Sequence, residues 1–438
     1  MQDPLANIAP RLLSIQRWKA RLVLWTAGVL VGVAAYLFAR LAELAQDGLH
    51  RLLLHSVLWP LLLAPVGFLG IAWLTRRYFH GAEGSGIPQT IHALESNGAD
   101  ANSGADDHRA DSAPMLMRGR TAIARVLLAC AGLFCGGSIG REGPTVHVGA
   151  AIAYSLARWI PHEELAAQRR LLILAGGAAG VAAAFNAPLA GIVFGIEELG
   201  RSFEERASGL TLTSVVLAGM VAIALAGDYS YFGQPVLPAD AHRLSLGTFT
   251  LALACGLSGG LFSRVLLASV RGLPSVFGRL QQRRIWFALA CGLVVACVGL
   301  LSGGLTYGSG YLEAKSIIDS NTQLPWAYAP ARAVATLATF LSGVPCGLFA
   351  PSLSAGAGLG QLVANLMGES SSVPFAILGM CGLLAAVTQA PLTSLVIVME
   401  MTAQHLMVFP LMVTVIIATT VSRLLSQPLY HTLARRYA

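Results

Sequence analysis

Apolar runs recur along the whole chain, at about residues 22–39, 52–74, 122–139, 171–196, 210–226, 245–270, 285–302, 331–350, 374–399 and 405–422. About 20 apolar residues make a helix that crosses a bilayer. In lipid only helices and closed barrels satisfy their own backbone polar groups. Of the 438 residues, 55% are hydrophobic and only 12% charged, against about 25% charged in an ordinary soluble domain. Mean hydropathy is +0.65. These values exclude a disordered chain, a disulfide scaffold and the common soluble enzyme folds. Glycine is abundant at 47 residues, and small residues let membrane helices approach closely. The sequence therefore reads as an all-α polytopic membrane protein. Several runs are too long for one crossing or are cut by Gly, Pro or a charge, so runs do not equal spans. Residues 136–150 and 342–358, dense in Gly and Pro, are expected to be broken helices.

The formal net charge is +7, carried almost wholly by arginine, with lysine only at Lys19 and Lys315. The arginines stand at the ends of apolar runs (Arg21, Arg40, Arg76, Arg77, Arg169, Arg170, Arg283, Arg284). That is where topology signals sit, and nucleic acid is not expected as a partner. Arg11, Arg17, Lys19 and Arg21 place the N-terminus in the cytoplasm, and Arg423, Arg435 and Arg436 do the same for the C-terminus. The first run, Leu22 to Ala39, is long enough to span and lacks a clear cleavage motif, so it is not read as a signal peptide. The seven cysteines lie in apolar stretches without a C-x-x-C pair, so they read as small buried residues. No metal, disulfide or cofactor is expected. Ser96 to Ala113 carries Asp100, Asp106, Asp107 and Asp111 among Gly, Ser and Asn and reads as a solvent-exposed loop.

The chain repeats itself. Ala187-Pro188-Leu189, Val193 and Glu197 return 203 positions on as Ala390-Pro391-Leu392, Val396 and Glu400. Gly140, Pro144, Gly149 and Ala150 return 207 positions on as Gly347, Pro351, Gly356 and Ala357. Gly84-Ser85-Gly86 returns as Gly308-Ser309-Gly310. The order is the same in both halves, and the polar loop accounts for the longer first interval. Two repeats with broken helices predict a transporter whose site lies at the repeat interface.

Gly140-Arg141-Glu142-Gly143-Pro144 puts a carboxylate and a guanidinium between apolar stretches. Each costs about 2.5–3.5 kcal/mol near a bilayer centre on insertion scales. The flanking glycines let backbone N–H groups approach a ligand, and Pro144 suits a first helical turn. A helix N-terminus attracts anions, so this reads as an anion site with a carboxylate beside it. A structural Arg–Glu ion pair is the alternative. Gly84-Ser85-Gly86-Ile87-Pro88 and Gly347-Leu348-Phe349-Ala350-Pro351 repeat the construction; taken singly, each also reads as a turn or kink. No H-E-x-x-H or G-x-S-x-G motif occurs, so an enzyme is not expected.

With GSGIP at 84–88, GREGP at 140–144 and GxFxP at 347–351 in this order, the chain resembles the CLC family of chloride channels and proton-coupled chloride transporters. The resemblance runs from about residue 20 to Tyr430. It implies a single transmembrane domain over 1–438, with about eighteen helices in two inverted repeats, near 20–226 and 245–430. It implies a homodimer with one pore per subunit, its interface near 186–226 and 390–424. Ser85 and Tyr430 would give hydroxyls to a central chloride and Leu348 and Phe349 their N–H groups. Gly86, Ile87, Arg141 and Gly143 complete the expected chloride-binding set. Glu142 would be the gate, competing with the anion.

In Ile196-Glu197-Glu198-Leu199 the resemblance makes Glu198, with Glu197 beside it, the internal proton relay that transporters carry and channels generally lack. By the residues alone, this is equally a solvated helix end. The expected function is a secondary active chloride/proton antiporter in the cell (inner/plasma) membrane. The alternative is a passive voltage- or pH-gated channel. A fluoride/proton antiporter fits less well, because that branch departs at the Ser85 segment and at the internal glutamate. His147 is expected to pack between helices, and Glu400 to sit at a helix end. The Gly132/Gly136 and Gly176/Gly180 pairs are expected to pack helices closely within one subunit. The chain stops eight residues after Tyr430, so no soluble regulatory domain is expected.

Overall fold

The computed structural model describes residues 15–99, 115–159, 165–200, 209–227, 232, 233, 235, 237, 238, 244–272, 284–369 and 371–437. Among them the ordered elements are helical. The first half comprises α1 (Ile15–His55), α2 (Trp59–Tyr78), α3 (Ile87–Ala99), α4 (Gly119–Phe134), α5 (Glu142–Leu156), α6 (Leu165–Phe185), α7 (Pro188–Phe194) and α8 (Gly209–Ala226). The second comprises α9 (Leu246–Arg271), α10 (Arg284–Leu301), α11 (Tyr311–Ser320), α12 (Tyr328–Leu341), α13 (Phe349–Met367), α14 (Val373–Thr388), α15 (Pro391–Thr402), α16 (Val408–Leu425) and α17 (Leu429–Ala434).

Proline at the first turn starts α2, α7, α14 and α15, where its missing N–H costs nothing. Ser245 and Thr248 form a capping box on α9, and Gly368 in the left-handed region (φ +70°) ends α13. Stretches of α1, α2, α9 and the α16–α17 region are long and apolar enough to cross a membrane. Others are short pieces, as the interrupted runs imply: α7 has 7 residues, α11 has 10 and α15 has 12. The 52–74 run is not one element: α1 ends at His55, and Pro60 opens α2. The polar loop begins later than expected, because α3 continues through Ala99. Residues 100–113 lie outside the described residues.

The two halves pack as copies. Gly149 of α5 lies so close to Gly176 of α6 that a Cβ on it would sit 2.2 Å from the Gly176 carbonyl oxygen. Gly356 of α13 and Gly379 of α14 repeat this, with 2.3 Å. Neither crossing admits a side chain. Gly180 faces the Thr145 carbonyl of α5, so Gly176 and Gly180 do pack helices within the subunit. Each long run after these pairs breaks at a residue in the left-handed region, Asn186 (φ 55°) and Gln389 (φ 61°). The halves join antiparallel at Gly140 and Gly347, whose N–H groups donate to each other's carbonyls at 2.9 and 3.0 Å. A single buried apolar cluster runs from Phe38 to Ala434 through both halves.

Candidate ion pathway

The Gly140–Gly347 bridge brings three Gly/Pro segments to one place. The Cys346 N–H donates to the Gly84 carbonyl at 3.1 Å, tying the α3 segment to the α13 segment. A Cβ on Gly143 would lie 2.5 Å from Ser85 Oγ, so Gly143 lets α5 abut the α3 segment. The first residues of α5 and α13 have no side-chain caps, which leaves N–H groups at each start without intrahelical partners. Leu348 is the cap position of α13 and Phe349 its first residue, both buried. Ile87 is fully buried at the start of α3.

Tyr430 approaches from α17, its ring centroid 6.1 Å from that of Phe349. The hydroxyls of Ser85 and Tyr430 are buried and face each other, and neither has any other hydrogen-bond partner in the protein. A buried unsatisfied hydroxyl costs about 1–3 kcal/mol. Two of them beside uncapped helix starts fit a small anion. The Gly86 N–H donates to Gln89 Oε1 at 3.1 Å. Gly86 supplies a φ of +96° and the lack of a Cβ, which would meet Arg125 Nη1 at 2.8 Å.

Glu142 is 1% exposed. The Ala350 N–H donates to its Oε2 at 3.4 Å, while Oε1 has no partner. The carboxylate thus lies at the start of α13. Arg141 reaches instead to Glu43 of α1, 3.9 Å away. It lines a cavity of about 460 Å³ with Tyr36, Glu43, Gln46 and Ile139. A second cavity, about 780 Å³, is lined by Gly84 and Ser85 together with Arg76, Arg271, Arg436 and Glu83.

Glu198 stands on a π-type turn, Gly195–Leu199, that continues α7, and is 7% exposed. Tyr430 is within electrostatic reach of both Glu198 and Glu142. His431 Nε2, on α17, lies 4.0 Å from Glu198 Oε1. Glu197 faces elsewhere. The N–H groups of Leu392 and Thr393 donate to its two oxygens at 3.1 and 2.7 Å. Glu400 does the same in reverse, accepting from Leu189 and Ala190 at 3.2 and 2.7 Å. Each glutamate thus caps the opposite half's helix. His147 is fully buried, with Nε2 2.9 Å from the Leu116 carbonyl. All seven cysteines are free thiols, and the described residues hold no cluster placed to ligate a metal.

Sequence reasoning missed two buried arginines. Arg125 of α4 donates to the carbonyls of Gly81 and Gly84 at 2.5 and 3.1 Å, holding the Ser85 segment. Arg332 of α12 donates to Leu305, Thr306 and Gly308 at 2.5, 3.1 and 2.9 Å. They stand 207 positions apart, the spacing of Gly140 and Gly347, and that was the available signal.

The family whose description is "Voltage gated chloride channel" matches residues 66–423. Among solved structures, the chain is similar to a slow cyanobacterial Cl⁻/H⁺ antiporter at 24% identity and a TM-score of 0.75, covering 95% of this chain and 97% of that one. It is similar to a eukaryotic CLC transporter at 23% and 0.71, covering 94% and 74%. It is also similar to a CLC-type fluoride/proton antiporter at 23% and 0.71, covering 94% and 97%.

Proposed function

The chain belongs to the voltage-gated chloride channel family, and we propose that within this family of multi-pass membrane transporters and channels it is a chloride/proton antiporter. The observation that carries this reading is the pair of buried carboxylates, Glu142 and Glu198, with the Tyr430 hydroxyl in electrostatic reach of both. Glu142 lies over the α13 start only while no anion holds that position. Protonation takes away the charge that holds it beside those N–H groups and frees the place for chloride. An anion arriving nearby favours the protonated form in turn. One carboxylate then links two fluxes without covalent chemistry. Ser85 and Tyr430 donate their hydroxyls to the chloride, and Leu348 and Phe349 their N–H groups.

Glu198 is the second proton site of this reading. Glu197 is not part of it, because its oxygens are occupied by the N–H groups of α15. One of the similar structures is a fluoride/proton antiporter. Chloride is proposed here because, on the family resemblance, the fluoride branch is expected to depart at the Ser85 segment and at Glu198, and both stand intact in this chain. The reading includes a homodimer, one pore per subunit, whose interface is the exposed apolar face of α7, α8, α15 and α16 (Leu189, Met220, Leu392, Phe409 and Ile416 among it). It places the protein in the cell membrane with both termini in the cytoplasm. No cofactor enters it.

The test is purified protein in liposomes under a chloride gradient, with the voltage held near zero by a potassium ionophore. Movement of protons against their own gradient supports exchange. Chloride flux with no proton movement makes this a passive channel.

A further inference from the structure

The antiport reading leaves Glu198 without a connection to water. Its side chain is 7% exposed, and Tyr430 faces it from the protein side. The adjacent carboxylate cannot supply the connection, because Glu197 accepts two backbone hydrogen bonds from the opposite half. Among the described residues, the titratable groups facing Glu198 are Glu197 on its own turn and Tyr430 and His431 on α17. Of these, only His431 combines closeness to Glu198 with an open side, its side chain being 42% exposed.

Resting on the antiport reading, we propose that His431 is the proton inlet of Glu198, taking protons from the aqueous phase and passing them to the buried carboxylate. Imidazole is the side chain whose ordinary titration falls between pH 5 and 8, which is the chemistry a proton carrier needs. Its Nε2 stands 4.0 Å from Glu198 Oε1. That is about one ångström beyond a hydrogen bond, a gap closed by rotation of the exposed ring or by one bridging water. In the transfer, the Nε2–H bond of the imidazolium breaks and an O–H bond forms on Glu198. The neutral imidazole keeps its Nδ1–H and recovers a proton from the aqueous phase at Nε2, which the exposed ring turns to water.

The position in the chain adds a division of labour. Tyr430 and His431 are consecutive on α17, and successive residues of a helix point about 100° apart. One helix therefore sends a hydroxyl to the anion site beside Ser85 and an imidazole to the proton site beside Glu198. The large cavity lined by Arg76, Arg271 and Arg436 is also lined by Ser85 and does not include His431. Anion and proton thus reach the centre on different sides of the same short element. A plain surface ion pair is the rival account, worth about 0–1 kcal/mol of stability and nothing in transport.

The experiment compares the intact protein with His431→Gln, Glu198→Gln and the double variant in liposomes, measuring chloride and proton fluxes together. His431→Gln is expected to slow proton transport by about 100-fold, the lower end of the range for losing a positioned proton donor, and to lower the protons moved per chloride. Any pH dependence of proton transport between pH 5 and 8 flattens with it. The double variant behaves as Glu198→Gln alone, and His431→Glu, which keeps a proton carrier, restores part of the coupling. A parallel fall of both fluxes in His431→Gln, with coupling and pH profile unchanged, overturns the proposal as a structural effect. An unchanged variant beside a coupled wild-type protein overturns it too and leaves the antiport reading standing. An uncoupled wild-type protein overturns both.

Discussion

The two halves of the molecule carry the same Gly-Ser-Gly turn pinned by the same buried arginine, yet only one turn is left open. In the second half the turn is closed. Gln46 Oε1 accepts from the Ser309 N–H at 3.2 Å, and Glu313 stands 3.4 Å from Arg332. In the first half Ser85 Oγ has no partner beyond the facing Tyr430 hydroxyl, and no carboxylate among the described residues lies within ion-pair distance of Arg125. The sites at the half-helix starts diverge likewise: Glu142 is matched by Phe349, and Glu198 by the buried Met401. The repeat supplies the scaffold twice. The Ser85 hydroxyl and the Glu142 Oε1 of the first copy keep unsatisfied polar atoms at this joint.

Substitutions that treat the two copies alike separate scaffold from site. The largest loss is expected for Arg332→Met, which strands Glu313 and three carbonyls. Breaking a buried pair costs about 3–5 kcal/mol, read as a lowered Tm in detergent. Arg125→Met should cost less stability, about 1.5–3 kcal/mol for hydrogen bonds from a charged donor. It should also weaken chloride binding in calorimetry, because Arg125 holds the Ser85 turn, whereas Arg332→Met protein that survives should bind chloride near normally. Ser85→Ala should weaken chloride binding by about 1.5 kcal/mol, one hydrogen bond to a charged group, and Ser309→Ala should leave it unchanged. The smallest effects belong to the symmetric pair. Glu197→Gln and Glu400→Gln should each cost about 1 kcal/mol, the worth of a helix cap, and should match each other. Unequal losses there would mean that the joint between the halves is not shared.

Much of this was legible in the residues. The ordered Gly/Pro anchors gave the repeat, the broken helices and the segments that meet at Gly140 and Gly347, because glycine and proline act on the local backbone. The side-chain partners were less legible. Arg141 followed by Glu142 reads equally well as an ion pair, yet Arg141 reaches to Glu43 of α1 and Glu142 to Ala350 of α13. Glu197 and Glu198 are indistinguishable neighbours in the sequence. Only the turn they occupy sends one to the backbone of α15 and the other to His431. Arg125 and Arg332 sit inside apolar runs, where a lone arginine gives no hint of which carbonyls it will hold.

The most direct test of the coupling account is Glu142→Ala beside the unaltered protein in liposomes under an imposed chloride gradient, recording external pH and chloride together. The account predicts uphill proton movement in the unaltered protein, and in the variant retained or faster chloride flux with no proton movement. A variant that still drives protons would contradict it, since the carboxylate across the start of α13 would then not be the group that links the two ions.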